Sequence, residues 1–154
     1  MALNRILSGA QTGVDRAALD VALELGIPCG GWVPRGRIDE LGRIPDRYPN
    51  LRETKSADYN ERTAANVRES DGTLIISRGT LTGGSLYTQK IAVELGRTCL
   101  HLDVKNSPIE VAARSAVVWI YSNNISALNI AGPRASKDPE IHGLATGLLT
   151  TILT

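Results

Sequence analysis

Hydrophobic and polar positions at the start of the chain change from an apolar run to a helical repeat across a short turn. Leu3, Ile6 and Leu7 form an apolar run that predicts a buried strand. From Val14 onward, apolar residues recur at helical offsets as far as Gly26, where we expect a left-handed cap to end the helix. The chain therefore opens with a strand, a glycine-rich turn and an amphipathic helix.

The turn between this strand and this helix predicts a site for an anion. Thr12 and Asp15 have the spacing of a capping box, which would anchor the first turn of the helix. The free N–H groups of that turn would then point toward the end of the strand. An anion binds well at such a helix N-terminus.

Strand and helix patterns alternate along the rest of the chain. Further strands are predicted at residues 27–33, 73–77, 99–104 and 125–131. Helices are predicted from Ala57 to about Glu69, from the loop at 79–84 to Leu95, from Pro108 onward and from Asp138 onward, with Ser56 as one N-cap and Ser107 and Glu110 as a second capping box. This alternation predicts an α/β fold, a doubly wound, mostly parallel sheet with helices on both faces, in one domain spanning residues 1–154.

One long segment, residues 35–55, shows neither a helical nor a strand period. Its six basic residues outnumber its four acidic ones, so it is either a basic lid over an anionic ligand or a plain solvated loop. Asn66, on the half-buried side of the second helix, must also find hydrogen-bond partners. Tying down a neighbouring loop is the favoured role for Asn66, and contact with a ligand is the alternative.

An internal repeat is found when the sequence is aligned with itself at an offset of 70 residues. The matches include Ile6 with Ile76, Gly9 with Gly79, Thr12 with Thr82, Gly13 with Gly83, Ala22 with Ala92, Leu25 with Leu95, Gly26 with Gly96 and Cys29 with Cys99. General preferences explain part of the match at the helix ends, where glycine is common, but explain much less of the matched Gly, Thr and Gly of the two turns. In a doubly wound sheet both turns would flank one crevice at the carboxyl edge, where a single ligand could touch both.

The composition is that of a soluble globular protein. The 154 residues are 42% hydrophobic and carry a net charge of +1, which gives no overall attraction to nucleic acid. No apolar run is long enough to span a membrane, and residues 1–4 show no signal peptide. Cys29 and Cys99 each follow a helix-ending glycine, which favours reduced, buried thiols in a cytoplasmic protein over a soft-metal site. Gly143 and Gly147 permit close packing within the domain, the favoured interpretation, or against a second copy in a homo-oligomer.

Crossovers between parallel strands are right-handed, so every loop that follows a strand should meet at one edge of the sheet. The residues in those loops are chiefly glycines, hydroxyls, amides and arginines, which together hold a phosphate or another oxyanion. The predicted binding residues are Gly9, Gln11, Thr12, Gly13, Asp15, Arg16, Trp32, Arg35, Gly36, Arg37, Ser77, Arg78, Gly79, Thr82, Gly83, Gly84, Ser85, Thr88, Asn129, Gly132, Pro133 and Arg134. Among them the arginines would supply charge, the glycine turns would supply backbone donors and Trp32 would supply a stacking surface.

The residues that several well-known binding sites and catalytic sites require are absent from this sequence. Neither glycine turn is a Walker A loop, because no lysine followed by serine or threonine comes after it. The first turn has the form G-x-x-x-G, and no acidic residue ends the second strand, so ordinary NAD binding is not expected. His101 and His142 are far apart in the sequence, which argues against a histidine metal site or a catalytic triad. Asp15 could act as a general acid or base, although a structural role at the helix start is favoured.

Five segments of the chain resemble the molybdenum-cofactor carrier proteins, a branch of the Rossmann-like families related to the lysine-decarboxylase-like phosphoribohydrolases. The segments are residues 8–16 (SGAQTGVDR), 30–37 (GGWVPRGR), 66–73 (NVRESDGT), 77–84 (SRGTLTGG) and 129–134 (NIAGPR). The resemblance covers nearly the whole chain. It implies a Rossmann-like three-layer sandwich that binds the phosphate-bearing pterin of the molybdenum cofactor, or a nucleotide, at the carboxyl edge. It further implies that molybdoenzymes receive the cofactor.

The chain departs from the phosphoribohydrolases at a position that matters for catalysis. Those enzymes carry a catalytic glutamate shortly after a Gly-Gly pair and a threonine, whereas here Thr88 is followed by Gln, Lys and Ile. A non-catalytic carrier of an anionic, phosphate-bearing cofactor is therefore the first hypothesis, with no catalytic residue and no metal ligand assigned. The alternatives are an enzyme acting on a nucleotide or nucleotide sugar, with Asp15 or Asp103 as the acid, and a nucleotide-sensing module that acts on a partner protein.

Overall fold

Six parallel strands form one sheet in the structure of the protein, a computed structural model that describes residues 3–154. The strands are β1 (Arg5–Leu7), β2 (Cys29–Val33), β5 (Leu51–Glu53), β6 (Gly72–Ser77), β7 (Thr98–Asp103) and β8 (Ala127–Ala131), and a separate antiparallel pair consists of β3 (Ile38–Asp39) and β4 (Gly42–Arg43). The order across the sheet is β5-β2-β1-β8-β6-β7. Strand β8 thus lies between the two strands that precede the matched glycine turns. Met1 and Ala2, which belong to the segment expected to lack a signal peptide, lie outside the described residues.

Five helices cover the two faces of this sheet. They are α1 (Val14–Leu25), α2 (Tyr59–Glu69), α3 (Gly83–Glu94), α4 (Ile109–Ser122) and α5 (Ile141–Leu153). Helix α5 packs between α1 and α4 on one face, and α2 packs against α3 on the other. The predicted α/β fold, a parallel sheet between two layers of helices, is confirmed.

The central strands are buried along their whole length, as in parallel sheets that are covered on both faces. Every residue of β6 and β8 is buried. Side chains alternate along β6, so Leu74 and Ile76 lie in the larger core cluster, whereas Ile75 lies in a second cluster on the opposite face. The continuous apolar runs of the sequence therefore mark strands with two covered faces.

The start of α1 differs from the predicted capping box. The helix begins after Gly13, and no side chain caps it. The Thr12 hydroxyl instead donates to Glu40 and accepts the backbone N–H of Ala135 at 3.1 Å. The capping box of Thr12 and Asp15 is wrong, because tertiary contacts use the threonine hydroxyl.

Two other predicted caps are also wrong. Helix α2 begins after Asp58, whose carboxylate accepts the N–H of Asn60 at 2.9 Å. The Ser56 hydroxyl lies outside the helix, where it accepts the N–H of Asp58 at 3.2 Å and donates to the Glu61 carboxylate at 2.6 Å. Helix α4 begins after Pro108 without any side-chain cap, so the second capping box, at Ser107, does not form.

Residues 35–55 are a structured part of the fold and not a plain solvated loop. The segment contains β3, β4 and β5, and β5 extends the sheet beside β2. Ile44 and Tyr48 are fully buried, and the Arg37 guanidinium donates to the carbonyl oxygens of Ile44, Pro45 and Tyr48. Strands of two or three residues are too short to produce a sequence period, so the pattern did not predict them.

Gly143 and Gly147 lie on the exposed side of α5. A Cβ atom added at either position would meet no atom of the described residues within 4 Å, apart from its chain neighbours and the adjacent backbone of α5. The expectation that these glycines pack within the domain is therefore wrong, and their packing against a second copy of the chain stays a prediction. Cys29 is buried and Cys99 is half-buried, both as free thiols. Among the helices of the described residues, none has the length and apolar character needed to cross a membrane.

Candidate functional site

A cleft of about 430 Å³ lies at the carboxyl edge of the sheet, where the turns after β1, β6 and β8 meet the start of α2. The predicted residues that line it are Gln11, Asp15, Ser77, Arg78, Thr82, Gly83, Gly84, Ser85, Thr88, Gly132, Pro133 and Arg134. Both matched turns thus contribute to one cleft. The volume is within the range of sites for small molecules.

The other predicted residues lie outside the lining of this cleft. They are Gly9, Thr12, Gly13, Arg16, Trp32, Arg35, Gly36, Arg37, Gly79 and Asn129. Several of them hold the fold together instead. Arg16 pairs with Asp39 at 2.7 Å, and Asn129 donates to the Thr73 hydroxyl between β8 and β6.

Trp32, predicted as a stacking surface, is engaged by other side chains. Its indole N–H donates to Glu69 at 2.6 Å, and the Arg52 guanidinium lies 4.2 Å from the ring centre. Asn66 accepts the backbone N–H of Trp32 and donates to its carbonyl oxygen, so it has a structural role, but it holds strand β2 and not the loop that was expected. The indole ring therefore joins β2 to β5 and α2 and does not line the cleft.

The first glycine turn is closed by neighbouring backbone. Gly13 has a φ of +81°, and a Cβ atom there would lie 2.2 Å from the carbonyl oxygen of Pro133. The N–H of Val14 donates to the same oxygen at 3.3 Å. The N-terminus of α1 is therefore occupied by protein backbone, and only Gln11 and Asp15 of this turn reach the cleft.

The second glycine turn is open. Gly83 and Gly84 are exposed at the start of α3, and Thr82 before them makes no side-chain cap bond. The ammonium nitrogen of Lys137 lies 3.4 Å from the position that a Cβ atom of Gly83 would take. The free N–H groups at this helix start and a lysine ammonium thus face the same space, an arrangement that binds anions.

The other cations of the cleft are partly neutralised. The Arg78 guanidinium makes two hydrogen bonds to Asp138, at 2.6 and 2.8 Å, and one to Glu140 at 2.9 Å. These bonds hold the pKa of Asp138 below its ordinary value. Arg134 lies 3.9 Å from Glu40. Among the described residues, Lys137 has no such carboxylate partner, so it is the cation most available to a ligand.

The inner end of the cleft holds a buried ion pair. An oxygen of Asp15 lies 3.7 Å from the Arg62 guanidinium and accepts the backbone N–H of Gln11 at 3.3 Å. Burial raises the pKa of Asp15 to about 6, although Arg62 opposes the shift. Gln11 Oε1 and Arg62 Nε are buried and have no hydrogen-bond partner among the described residues.

Ser77 of the cleft contacts a histidine that the sequence did not connect to it. His101 Nε2 lies 2.6 Å from the Ser77 hydroxyl, which donates to the carbonyl oxygen of Gly79 at 2.8 Å. Asp103, one candidate acid, accepts the N–H groups of Gly79 and Lys105, and these bonds lower its pKa. These residues shape the turn after β6. Within residues 3–154, no three His, Cys, Asp or Glu side chains are grouped as metal ligands.

Besides Thr80, Leu81 and Ala131, which lie inside predicted segments, five residues of the cleft were missed by sequence reasoning: Tyr59, Asn60, Arg62, Lys137 and Asp138. The last two follow Arg134 within four positions, so extending the predicted segment along the β8 to α5 connection would have included them. The first three lie in the first turn of α2, and no motif marks them. They reach the cleft because α2 packs beside α3 at this edge.

The parallel sheet, the helices on its two faces and the cleft at its carboxyl edge define a Rossmann-like α/β protein. The sequence profile of the circularly permutated YpsA SLOG family matches residues 6–153, and the chain belongs to this family. A crystal structure from Syntrophus aciditrophicus SB, named "Putative molybdenum carrier protein", is 51% identical to this chain with a TM-score of 0.97. The match covers 99% of this chain and 96% of that one. The curated proteins provide no match.

Proposed function

We propose that this protein binds and carries an anionic, phosphate-bearing cofactor of the molybdopterin type. One observation supports this most strongly: the open start of α3 and the Lys137 ammonium face the same part of the cleft. The carrier name given to the similar Syntrophus protein supports the same class of ligand. We further propose that one domain performs this task and that molybdoenzymes receive the cofactor.

The chemistry of the open turn suits a phosphate group. Helix α3 has 12 residues, and its first N–H groups carry the partial positive charge of a helix N-terminus. Lys137 adds a full charge, and Arg134 adds a second that Glu40 only partly balances. Backbone donors and cations that converge in this way stabilise a dianion through charge-assisted hydrogen bonds.

The lining also fits the organic part of a molybdenum cofactor better than its metal. Neither Cys29 nor Cys99 lines the cleft, so neither thiol can ligate a metal ion there. Asp15 offers a carboxylate that can accept hydrogen bonds from the N–H groups of a pterin ring. Binding through the phosphate and the ring would leave the metal end of the cofactor free for transfer.

Calorimetry with purified molybdopterin tests the proposal directly, because we expect a ligand at 100 times its Kd to stabilise the fold by about 2.7 kcal/mol. Lys137→Gln should weaken binding about tenfold, since hydrogen bonds to charged groups contribute about 1.5–3 kcal/mol. Lys90→Gln, on an exposed position of the same helix, is the matched control and should bind normally. Equal affinity in the Lys137 variant and the wild type would contradict this site.

A glycine variant tests whether the ligand binds in the cleft or elsewhere on the surface. Gly84→Val adds bulk to the lining at a position with no neighbouring atom within 4 Å, so it should block the ligand without disturbing the fold. Gly147→Val adds the same bulk on the exposed side of α5, where no atom lies within 4 Å, and should leave binding unchanged. Retained affinity in the Gly84 variant would place the ligand elsewhere.

One observation favours a second function, the processing of a nucleotide or nucleotide sugar. Asp15 lies in the cleft with a pKa of about 6, a value suited to a general acid or base near neutral pH. Incubation of the protein with nucleoside monophosphates should then release free base or phosphate. Such release, lost in Asp15→Asn, would replace the carrier proposal with an enzyme.

A further inference from the structure

The inner end of the cleft differs in chemistry from the end at α3. There, Asp15 is held by the N–H of Gln11 and by Arg62 through the same carboxylate oxygen, Oδ2. Its other oxygen accepts no hydrogen bond from the described residues. The Gln11 amide donates to the carbonyl oxygens of Gly9 and Ile38, at 3.2 and 3.1 Å, which leaves its own oxygen without a partner. This end therefore presents a carboxylate oxygen that is free to accept a hydrogen bond, whereas the α3 end presents backbone donors and a lysine ammonium.

Two neighbours make the Asp15 carboxylate suitable for recognition. The Arg62 guanidinium at 3.7 Å favours the ionised form and fixes the position of the carboxylate. Asp15 is only 4% exposed and lines the cleft, so the surface that it retains is turned to a ligand there. Tyr59 also lines the cleft, with its ring centre 5.7 Å from the Arg62 guanidinium. Among the described residues, Tyr59 is the aromatic side chain that lines the cleft. It is therefore the candidate for the stacking role that was expected of Trp32.

We propose that this inner end recognises a 2-amino-4-oxopyrimidine ring, the ring that pterins and guanine share. Its 2-amino group and the adjacent ring N–H would donate to Asp15, and its face would stack on Tyr59. This inference rests on the proposed function, which places the phosphate of the same ligand at α3. It names the class of ring that the cleft selects.

The match of donors and acceptors explains the selection. The 2-amino-4-oxopyrimidine edge presents two adjacent N–H donors, and a carboxylate presents two adjacent oxygens. Adenine lacks the pair of donors, and hypoxanthine lacks the amino group. Either ring would make one charge-assisted hydrogen bond fewer to the carboxylate, and a site built around a hydrogen bond to its ligand rejects an analogue that lacks the bonding group.

Guanosine, inosine and adenosine 5′-monophosphates are suitable probes, because the first two differ by a single amino group. We expect the wild-type protein to bind the guanine nucleotide at least tenfold more tightly than the other two. Neopterin monophosphate should bind at least as tightly as the inosine nucleotide does. The tighter of the guanine and pterin ligands identifies the source of the ring, and either order supports the inference.

Asp15→Asn should abolish this preference and leave pyrophosphate binding within a few-fold of the wild-type value. Asp46→Asn is the matched control, because it removes the same charge from an exposed aspartate outside the cleft, where Arg43 pairs with it. The control should keep the preference for guanine. Tyr59→Leu should weaken all four ring ligands several-fold without changing the affinity for pyrophosphate.

The failures of the two proposals are distinguishable. Equal wild-type affinities for the three nucleotides, or an unchanged preference in Asp15→Asn, would overturn the ring assignment. The phosphate site would still stand if pyrophosphate binding depended on Lys137. No binding of any phosphate-bearing probe, pyrophosphate included, would overturn both proposals. The comparison of guanosine and inosine nucleotides needs no variant, so it decides the question even if Asp15→Asn does not fold.

Discussion

The two glycine turns have matching residues at an offset of 70 positions and opposite surroundings. Gly13 is buried beneath the carbonyl oxygen of Pro133, whereas Gly83 is exposed beside the Lys137 ammonium. Both turns follow a buried parallel strand and precede a helix of 12 residues. The similar sequences therefore give similar backbones, and the chain segment that crosses each turn decides whether a ligand can reach it.

The connection between β8 and α5 makes this difference. It begins between the two turns, because β8 lies between β1 and β6. Its first residues cover the β1 turn, where Ala135 donates to Thr12 and the Pro133 oxygen accepts the N–H of Val14. Its later residues reach the β6 turn only with side chains, those of Lys137 and Asp138. The β1 turn is thus packed against the β8 to α5 connection, whereas the β6 turn remains open to a ligand.

Among the tests of this comparison, Gly13→Ala has the largest expected effect on stability. The added carbon would lie 2.2 Å from a backbone oxygen and would need a φ of +81°, so we expect a loss of more than about 3 kcal/mol in the free energy of unfolding. Gly26→Ala is the matched control, with a φ of +70° and no atom within 4 Å, and should cost about 1 kcal/mol. Urea denaturation measures both. Similar losses in the two variants would mean that the first turn is not tightly covered.

The second test uses pH. Asp15 has a pKa of about 6 in the folded protein and 3.8 when unfolded, so the folded state binds the extra proton between these values. The contribution of Asp15 to stability is therefore complete below pH 3.8 and is lost as the pH rises through 6, by about 3 kcal/mol in all. Unfolding measured from pH 4 to 7 should show this slope in the wild type and not in Asp15→Asn.

The matched residue provides the control for the pH test. Ser85 stands 70 positions after Asp15 and has no charge to titrate in this range. Ser85→Ala should therefore keep the wild-type slope between pH 4 and 7. A slope that persists in Asp15→Asn would assign the titration to another group.

The third test compares the two threonines that precede the helices. Thr12→Val removes hydrogen bonds to Glu40 and Ala135 from a buried site, which should cost about 1–2 kcal/mol. Thr82→Val changes an exposed residue that makes no side-chain cap bond, so we expect a change within about 0.5 kcal/mol. Thermal unfolding of both variants measures the difference. Equal effects would show that the two turns are equally engaged with the fold.

The smallest expected effect is a gain in stability at the open turn. Gly84→Ala places a methyl group in open space at the start of α3, where alanine restricts the unfolded chain, so stability should rise by about 0.4–1 kcal/mol. Calorimetric unfolding in the absence of ligand measures this gain. A loss of stability would mean that the turn is packed in a way that resembles the first one.

Local patterns predicted the elements of the fold well. The apolar repeat from Val14 and the glycine at position 26 gave α1 with its correct bounds, and Gly26 has the expected left-handed conformation. Such features depend on neighbours within one or two helical turns, so they can be predicted from the sequence. The strands β3, β4 and β5 were not predicted because each has only two or three residues. The predicted cap at Thr12 was wrong for a different reason, since its hydroxyl forms a hydrogen bond with Ala135, far away in the chain.

The candidate site was predicted in part for a related reason. Residues that directly follow a parallel strand must lie at the carboxyl edge, which is why Gln11, Ser77 and Arg134 were expected in the cleft where the structure places them. Arg62 was missed because it comes from a helix start whose position depends on packing. Trp32 was expected to stack on a ligand, but Arg52 and Glu69 hold its ring.

The sequence by itself determined the parallel α/β architecture and the edge at which its loops gather, because hydrophobic period and connection handedness are local or general properties. Tertiary structure alone decided which glycine turn is open and which acid is paired. The burial of Gly13 under Pro133 and the pairing of Asp15 with Arg62 join residues far apart in the chain. The free energy of such contacts depends on atomic proximity, which no spacing along the sequence records.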